Sequence, residues 1–414
     1  MENDTHNIPP SQTEIIMDSD ETTRYPSPYV PVLKLAGSPY EIGFQHGQQA
    51  KTYINSNIRA YSTWFQQTAG LSWTEAKQRA TTFVPTLQRL YPEILDEIQG
   101  IADGAGLERD DILAINVRSE IGLTIYDDSP ENEPPAITDG CTALAQTSSD
   151  GSKTILAQNW DWIEGLENGM IVVDITTDEG TRMQFLNEAG LVGKIGLNSH
   201  GFGLCNNAIK CGAMSNERFP THVMSRRLLQ YARSVDEAVD MLEMYSGACA
   251  TNYVLADAKG TICDVEVSPR GISSIVPLPK ASETDNSQAG HGPMFVAHTN
   301  HIVSPPGSFP KGPIYDRPTE NSFSRLARIS ELTMDDMRNN VPFTTEAVVQ
   351  RLKDRQGAPD GICRDVPTDA TGPERIKTLA SIVMEFDNVR GTAGGFVAIG
   401  KPCNEGLQRV DWAF

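Results

Sequence analysis

From residue 38 onward the apolar positions recur at helical spacing. Ser38-Pro39-Tyr40-Glu41 supplies a capping hydroxyl, a proline at the first helical position and a glutamate three residues after the cap, so a helix is expected to begin there. Ser72 and Glu75 repeat the capping box, and Pro92 opens a third helix with Ile94, Leu95, Ile98, Ile101 and Ala102 on one face. A fourth is expected over 108–122. Residues 126–137 then break the pattern, because Asp127, Asp128, Glu131 and Glu133 are mixed with Pro130, Pro134 and Pro135, a composition that favours an exposed, extended linker. Beyond it the texture changes to strands. Segments 142–146 and 154–159 read as a pair joined by a turn at 148–151, and further strands are expected at 170–176, 183–187, 194–198 and 203–207. Helices over 220–232 and 235–244, the second capped by Ser234 with Glu237, precede strands at 253–256, 262–267 and 295–299. Helices over 321–332 and 345–352 lead to final strands at 378–386, 395–399 and 408–412. Strands and amphipathic helices in separate blocks point to an α+β protein with layered sheets and helices outside.

Composition narrows the function classes. With 39% hydrophobic and 21% charged residues the chain is globular, and no run approaches the ~18 apolar residues of a membrane span. A net charge of −20 disfavours non-specific attraction to nucleic acid or anionic membranes, and leaves room for a local basic pocket. Seven cysteines, odd in number and never spaced CxxC, argue against a disulfide framework or a zinc site and fit a reducing compartment. Residues 1–32 read as a flexible tail with neither a secretory signal nor an Arg-rich transit pattern. The C-terminal Asp411-Trp412-Ala413-Phe414 is not a peroxisomal tripeptide, so the cytoplasm is the expected location.

The chemistry centres on Asp139-Gly140-Cys141-Thr142, where the acidic linker runs into a strand through Gly and Cys. Glycine leaves the carbonyl before Cys141 sterically open. A thiol can attack it, shift the acyl group from nitrogen to sulfur, and let water release a chain that begins at Cys141. The freed α-amine, with a pKa of about 8, can then act as base to its own thiol. A buried structural cysteine is the plain alternative. In the following hairpin, Asp161 returns near the start of the first strand, where a carboxylate could hold the new ammonium; an ordinary turn aspartate is the alternative there. His298 and His301 lack a third ligand at suitable spacing, so no metal is assigned to them.

Several ordered motifs resemble the acyl-coenzyme A:6-aminopenicillanic acid acyltransferase family, also called isopenicillin N acyltransferases. They are Gly37-Ser38-Pro39-Tyr40-Glu41-Ile42-Gly43 with His46-Gly47, Glu97 to Ala102, Asn116 to Glu120, Asp139-Gly140-Cys141-Thr142, Gln158-Asn159-Trp160-Asp161, Asn187 to Gly190, Asn198-Ser199, Asn207-Ala208 and His298-Thr299-Asn300-His301. The resemblance implies a four-layer αββα sandwich of the N-terminal-nucleophile hydrolase type. It also implies self-cleavage between Gly140 and Cys141, and an acyl thioester on Cys141 that passes to an amine or to water. It places the nucleophile on Cys141, an orienting carboxylate on Asp161, an oxyanion donor on Asn300 and an active-site arginine on Arg375. Asn207 is a second donor candidate, and Thr251 stands where the family has a serine. Gln158 stands where related amide hydrolases place Arg.

On this reading residues 33–140 form a helix-rich segment ending in the linker, and residues 141–414 a second segment with the nucleophile at its start, both within one catalytic domain. The expected partners are small-molecule amides, amines or acyl-CoA, together with the two chains cut from one precursor, and no cofactor. Acyl-CoA enters as a co-substrate implied by the family, without a Gly-rich phosphate cradle beside it. Specialised metabolism is the expected setting. A papain-like protease is disfavoured because Cys141 introduces a strand and its Cys-Gly-Ser-Cys-Trp pattern is absent. The remaining alternative is a non-catalytic binding protein that kept the fold.

Overall fold

The capping chemistry read from the sequence is realised in the computed structural model, which describes residues 30–123, 140–275, 277, 293–305, 307–404 and 406–410. Ser38 caps α1 (Pro39–Ala69), accepting from the Glu41 amide while its own amide donates to the Glu41 carboxylate at 2.9 Å. Ser72 and Glu75 do the same for α2 (Trp73–Thr81). A short α3 (Val84–Leu90) was not expected, since seven residues are too few to reveal a period. It is followed by α4 (Glu93–Ala105). The single helix expected over 108–122 is two, α5 (Arg109–Asn116) and α6 (Arg118–Gly122), broken at Val117. The cause is tertiary: the buried Asn116 amide donates to the Gly190 carbonyl at 2.8 Å and accepts from the Val192 amide at 2.9 Å, tying the helix end to a distant loop.

Helices α1 and α4 touch backbone to backbone. A Cβ placed on Gly43 would lie 2.0 Å from the Glu97 carbonyl oxygen, and one on Gly47 would lie 2.1 Å from that of Ile101. From the other side, a Cβ on Gly100 would lie 2.2 Å from the Tyr40 carbonyl oxygen and one on Gly104 would lie 2.2 Å from that of Phe44. Two glycine pairs at helical spacing therefore let the two backbones touch along this seam.

Two sheets form the centre. The first has strand order β1-β4-β5-β6-β7-β8-β9-β10, with β1 (Val32–Gly37), β4 (Met170–Thr177), β5 (Arg182–Glu188), β6 (Ile195–Asn198), β7 (Phe202–Ala208), β8 (Thr251–Asp257), β9 (Ile262–Ser268) and β10 (Gly271–Ile275). The second is β11-β2-β3-β12-β13-β14, with β11 (Phe295–His298), β2 (Thr142–Thr147), β3 (Lys153–Ile163), β12 (Ile376–Asp387), β13 (Thr392–Ile399) and β14 (Gln408–Val410). β1 and β10 were not anticipated. β1 pairs parallel with β4, a partner far along the chain, and its six residues carry no local turn signal. The sheets pack face to face; α1, α7 (Thr221–Tyr231) and α8 (Val235–Tyr245) cover the outer face of the first, while α9 (Glu320–Arg338) and α10 (Thr345–Leu352) cover the second. The fold is thus the expected αββα sandwich.

β2 and β3 are buried on both faces, which explains their nearly continuous apolar character. Ala143, Ala145, Leu156 and Trp160 face the inter-sheet core. Leu144, Ile155 and Ala157 face Val348 and Leu352 of α10. Among the expected features, the tail as far as residue 29, the 126–137 linker, nearly all of the Pro-rich 277–293 insertion and the last two residues of the final strand lie outside the described residues. No helix among the described residues is long and apolar enough to cross a membrane.

A buried ion pair ties the sheets together. His298 of β11 lies 3.1 Å from Glu266 of β9, both wholly buried. Burial works against the imidazolium, yet the nearby Asp264 and the hydrogen bond to Glu266 outweigh it and push His298 up to about 9. The Glu266 carboxylate also gathers the Val303 and Ser304 amides, anchoring the loop that follows β11.

Gly47→Ala should force the two helices apart and cost about 3 kcal/mol, the upper part of the overpacking range. Gly394→Ala, where a Cβ meets nothing within 4 Å, should stay within about 0.5 kcal/mol. Guanidinium titrations showing equal midpoints for both variants would refute the backbone seam. A second expectation concerns pH. Because the folded pKa of His298 is raised above the ordinary value of about 6.5, its contribution is complete below pH ~6.5 and lost as pH rises through 9. Unfolding free energy should therefore fall between pH 7 and 9.5, and His298→Gln should flatten that slope; identical slopes would remove the imidazolium from the account.

Candidate active site

The start of β2 is tightly constrained. Gly140 lies so close to its neighbours that an added Cβ would sit 2.7 Å from Nη1 of Arg364, 2.7 Å from Cβ of Asp161 and 2.8 Å from Oδ2 of Asp161. No other residue fits without displacing both. Cys141 is 4% exposed, and its Sγ donates to the Asp161 backbone carbonyl at 3.6 Å. The peptide bond between Gly140 and Cys141 therefore runs beside a buried carboxylate and a buried guanidinium.

Asp161 lies inside β3 rather than in the turn that follows a shorter strand, because β3 continues to Ile163. Its Oδ1 accepts from the Thr378 hydroxyl at 2.6 Å, and that hydroxyl in turn accepts from the Arg364 amide at 2.9 Å. The Thr378 amide returns a bond to the Arg364 carbonyl at 3.2 Å. A β-bulge makes this alignment. The register of β12 against β3 shifts between Thr378 and Ala380, so the extra residue, Leu379, turns to the inter-sheet core and Thr378 comes to the face shared with Asp161. Two positions back on the same face, Asn159 donates to the Leu352 and Ile362 carbonyls at 2.8 and 2.9 Å. Asn159 thereby fastens the segment after α10 and delivers Arg364 to Gly140. Arg364 also pairs with Asp360 at 2.7 Å.

On the other side of Cys141 stands Arg325 of α9, 1% exposed. It donates to the Cys141 carbonyl at 2.5 Å, to the Thr142 hydroxyl at 3.0 Å and to Oδ1 of Asn300 at 3.0 Å. Arg325 fixes which way the Asn300 amide points, and the Asn300 Nδ2 donates to the Ala208 carbonyl at 2.9 Å. Asn207 is adjacent in β7, with its Nδ2 on the His298 carbonyl at 3.2 Å. Each of these amide NH₂ groups carries a second proton beyond the bond named. Gln158 crosses between the sheets, donating to the Asn206 carbonyl at 2.7 Å and to Oδ1 of Asn207 at 3.0 Å. The Thr251 hydroxyl donates to the Asn207 carbonyl at 2.9 Å and accepts from Asn206, so it braces β7 from behind.

Cys141, Asp161, Asn300, Asn207 and Thr251 are thus gathered around one end of the sandwich. Arg375 is not brought into this group. Its side chain is 45% exposed and pairs with Glu164 at 2.7 Å, where a solvated guanidinium at the foot of β12 finds a carboxylate without crossing into the interior. The buried arginines at the site are Arg364 and Arg325, which sequence reasoning missed along with Thr378. Arg364 follows the apolar pair Ile362-Cys363, a charge in an apolar context that could have been noticed; nothing local marks Arg325 or the bulge that aims Thr378.

The surrounding thiols differ from Cys141 in setting. Burial, with Cys141 nearby, pushes the Cys205 thiol well up. Burial also raises Cys363, which donates to Sγ of Cys403 at 2.7 Å, and raises Cys249, which lies 3.2 Å from Glu120. The first cause is desolvation of the thiolate in every case. His301, whose Nδ1 meets the Ser322 hydroxyl at 2.8 Å, is lowered to about 4 by burial and by the positive His298, so it stands neutral. A thiol beside a buried carboxylate, with amide donors one strand away, is equipped for acyl transfer through sulfur.

The chain is similar to known acyltransferases and amide hydrolases. Over 370 residues the chain is 26% identical to the 40 kDa form of acyl-coenzyme A:6-aminopenicillanic-acid-acyltransferase from Emericella nidulans, covering 89% of this chain and 92% of that protein. It is 22% identical over 265 residues to the β-alanyl-dopamine/carcinine hydrolase of Drosophila melanogaster, covering 58% and 65% of the two chains. Among solved structures, a mutant conjugated bile acid hydrolase from Clostridium perfringens is 13% identical and covers 66% of this chain and 97% of its own, with a TM-score of 0.38. A family model described as acyl-coenzyme A:6-aminopenicillanic acid acyl-transferase matches residues 147–393, more than half of the sequence, and the chain belongs to that family.

Proposed function

We propose that this protein is a self-processing cysteine enzyme that makes or breaks amide bonds of small molecules through an acyl thioester on Cys141. The observation that carries the reading is the convergence of Gly140, Cys141, Asp161 and Arg364 at the start of β2, a point where only glycine fits before the cysteine. In the processing step the Cys141 sulfur attacks the Gly140 carbonyl carbon, the C–N bond breaks, and the Cys141 nitrogen leaves as an amine. Water then hydrolyses the Gly140 thioester, releasing a carboxylate at Gly140 and restoring the thiol. The new α-amine emerges beside Asp161, whose carboxylate holds and orients it as the base for the adjacent thiol.

In turnover the same sulfur takes an acyl group from an amide or an acyl thioester, and Asn300, with Asn207 beside it, donates to the oxyanion of the tetrahedral intermediate. Capture of the acyl-enzyme by an amine gives transfer, and capture by water gives hydrolysis. The names of the fungal and insect relatives include one of each, so both are expected from one intermediate.

Purified protein should convert without added protease into chains 1–140 and 141–414, which stay associated because β1 pairs with β4 and α1, with α4 on its back, packs on the first sheet. Cys141→Ala should remain one chain and be inactive, and Cys141→Ser should cleave slowly. Intact mass decides this: an active wild type that is uncleaved, or a Cys141→Ala variant that still splits before residue 141, overturns the mechanism, and an uncleaved, inactive wild type would favour a binding protein. Asp161→Asn, once cleaved, should retain its fold and lose about a hundredfold in kcat on a panel of acyl thioesters and amides offered with and without amine acceptors. Wild-type turnover in that variant would remove Asp161 from the mechanism.

A further inference from the structure

Cys363 stands between Ile362, whose carbonyl is held by Asn159, and Arg364, which packs against Gly140. Its own amide donates to the Asp354 carbonyl at 2.9 Å, so the backbone around it is fixed. The side chain has no exposed surface, and its thiol donates to Sγ of Cys403 at 2.7 Å. Cys403 lies in the turn between β13 and β14, half-buried, with its thiol also 3.6 Å from Oδ1 of Asn404 at the surface. That turn is tied to the same flank of the site. The Gly400 amide donates at 2.6 Å to the carbonyl of Leu379, the bulge residue of β12, and Lys401 pairs with Asp365. The two thiols thus meet where two segments join, one carrying Arg364 and the other held to the bulge that aims Thr378.

Thiols already in direct contact need little approach to bond, provided an oxidant can reach one of them. Cys205 and Cys249 are buried in the core, away from any such reagent. Cys403 is the accessible member of its pair. Burial pushes the Cys363 thiol up, and its bond to Cys403 adds to this, so Cys363 is held protonated and oxidation starts on Cys403. A pair that closes only on exposure to an oxidant stays open in a reducing compartment. It therefore differs from the framework disulfides that the cysteine spacing argues against.

We infer that Cys363 and Cys403 are a redox-active pair that a hydroperoxide closes to a disulfide, locking the segment that carries Arg364. In the first step the Cys403 sulfur attacks one peroxide oxygen and the O–O bond breaks. The other oxygen takes up the thiol proton and leaves as water or an alcohol, and Cys403 becomes a sulfenic acid. The Cys363 sulfur then attacks the Cys403 sulfur; the S–S bond forms, the S–O bond breaks, and the hydroxyl departs as water with the Cys363 proton. Two thiols lose two electrons, and one peroxide gains them. The bond closes a loop across β12 and β13, so the turn after β13 can no longer part from the Arg364 segment.

The pair stands independently of the acyl-transfer reading, so the full-length Cys141→Ala protein tests it with the nucleophile removed as a competing target. Hydrogen peroxide should lower the intact mass of that protein by about 2 Da, and dithiothreitol should restore it. Peptide mapping should join Cys363 to Cys403. Hydrogen exchange of the Cys363 and Arg364 amides, which donate to the Asp354 carbonyl and the Thr378 hydroxyl, should slow by about tenfold in the oxidised form. Both forms are the same polypeptide, so no folding defect enters the comparison. Adding Cys403→Ser should abolish the mass loss and the slowing together. An unchanged mass, a sulfinic acid on Cys403 without a cross-link, or a cross-link between another pair overturns the site. A Cys363 to Cys403 bond that leaves the two amides exchanging at the same rate overturns the lock.

Discussion

Moving a carboxylate from water into a protein interior costs several kcal/mol unless neighbouring groups offset it, and Asp161 has no exposed surface. Much of the second sheet can be understood as the apparatus that meets this cost. Thr378 supplies a short hydrogen bond, a bulge in β12 aims Thr378, and Asn159 ties down the segment from which Arg364 reaches the same place. None of these groups makes sense singly. Removing the bulge would bring Leu379 to the face where Asp161 needs a donor, and releasing Asn159 would free the segment that carries the guanidinium. The glycine before Cys141 belongs to the same arrangement, because the space a side chain would occupy is already filled by Asp161 and Arg364.

The opposite flank is built on a different economy. There the guanidinium of Arg325 and the backbone of His298 hold neutral side-chain amides in place. Arg325 joins the Cys141 carbonyl to Asn300, and the His298 carbonyl receives Asn207. A developing negative oxygen is better served by dipoles already held in place than by flexible charges that must reorganise.

How far this was readable from the sequence depended on the range of the interactions involved. Helix starts were legible because a cap is settled within four residues, as at Ser38 and Ser72. The strand pair around Cys141 was legible from its doubly buried apolar runs and intervening turn. β1 was not, since its partner β4 lies far along the chain, and the break at Val117 was not, since it answers to Asn116 and a remote loop. Within the site, Cys141, Asp161 and Asn300 could be named from motifs. Arg375 could be named in the same way yet faces Glu164 at the surface, because which arginine reaches the interior is decided by the tether from Asn159. The bulge that selects Thr378 leaves no trace in local composition.

The parallel pairing of β1 with β4 has a consequence for the order of events in the life of the molecule. β1 covers what would otherwise be an open edge of the eight-stranded sheet, and it comes from the part of the chain before residue 140. While the backbone is continuous, that strand finds its place by an intramolecular search whose rate is independent of concentration. A break before Cys141 would make the same step a second-order association between two polypeptides, neither of which buries its apolar face alone. The assembled form would then be held by a barrier to separation, and its recovery after denaturation would depend on protein concentration, so folding would have to be complete before any such break.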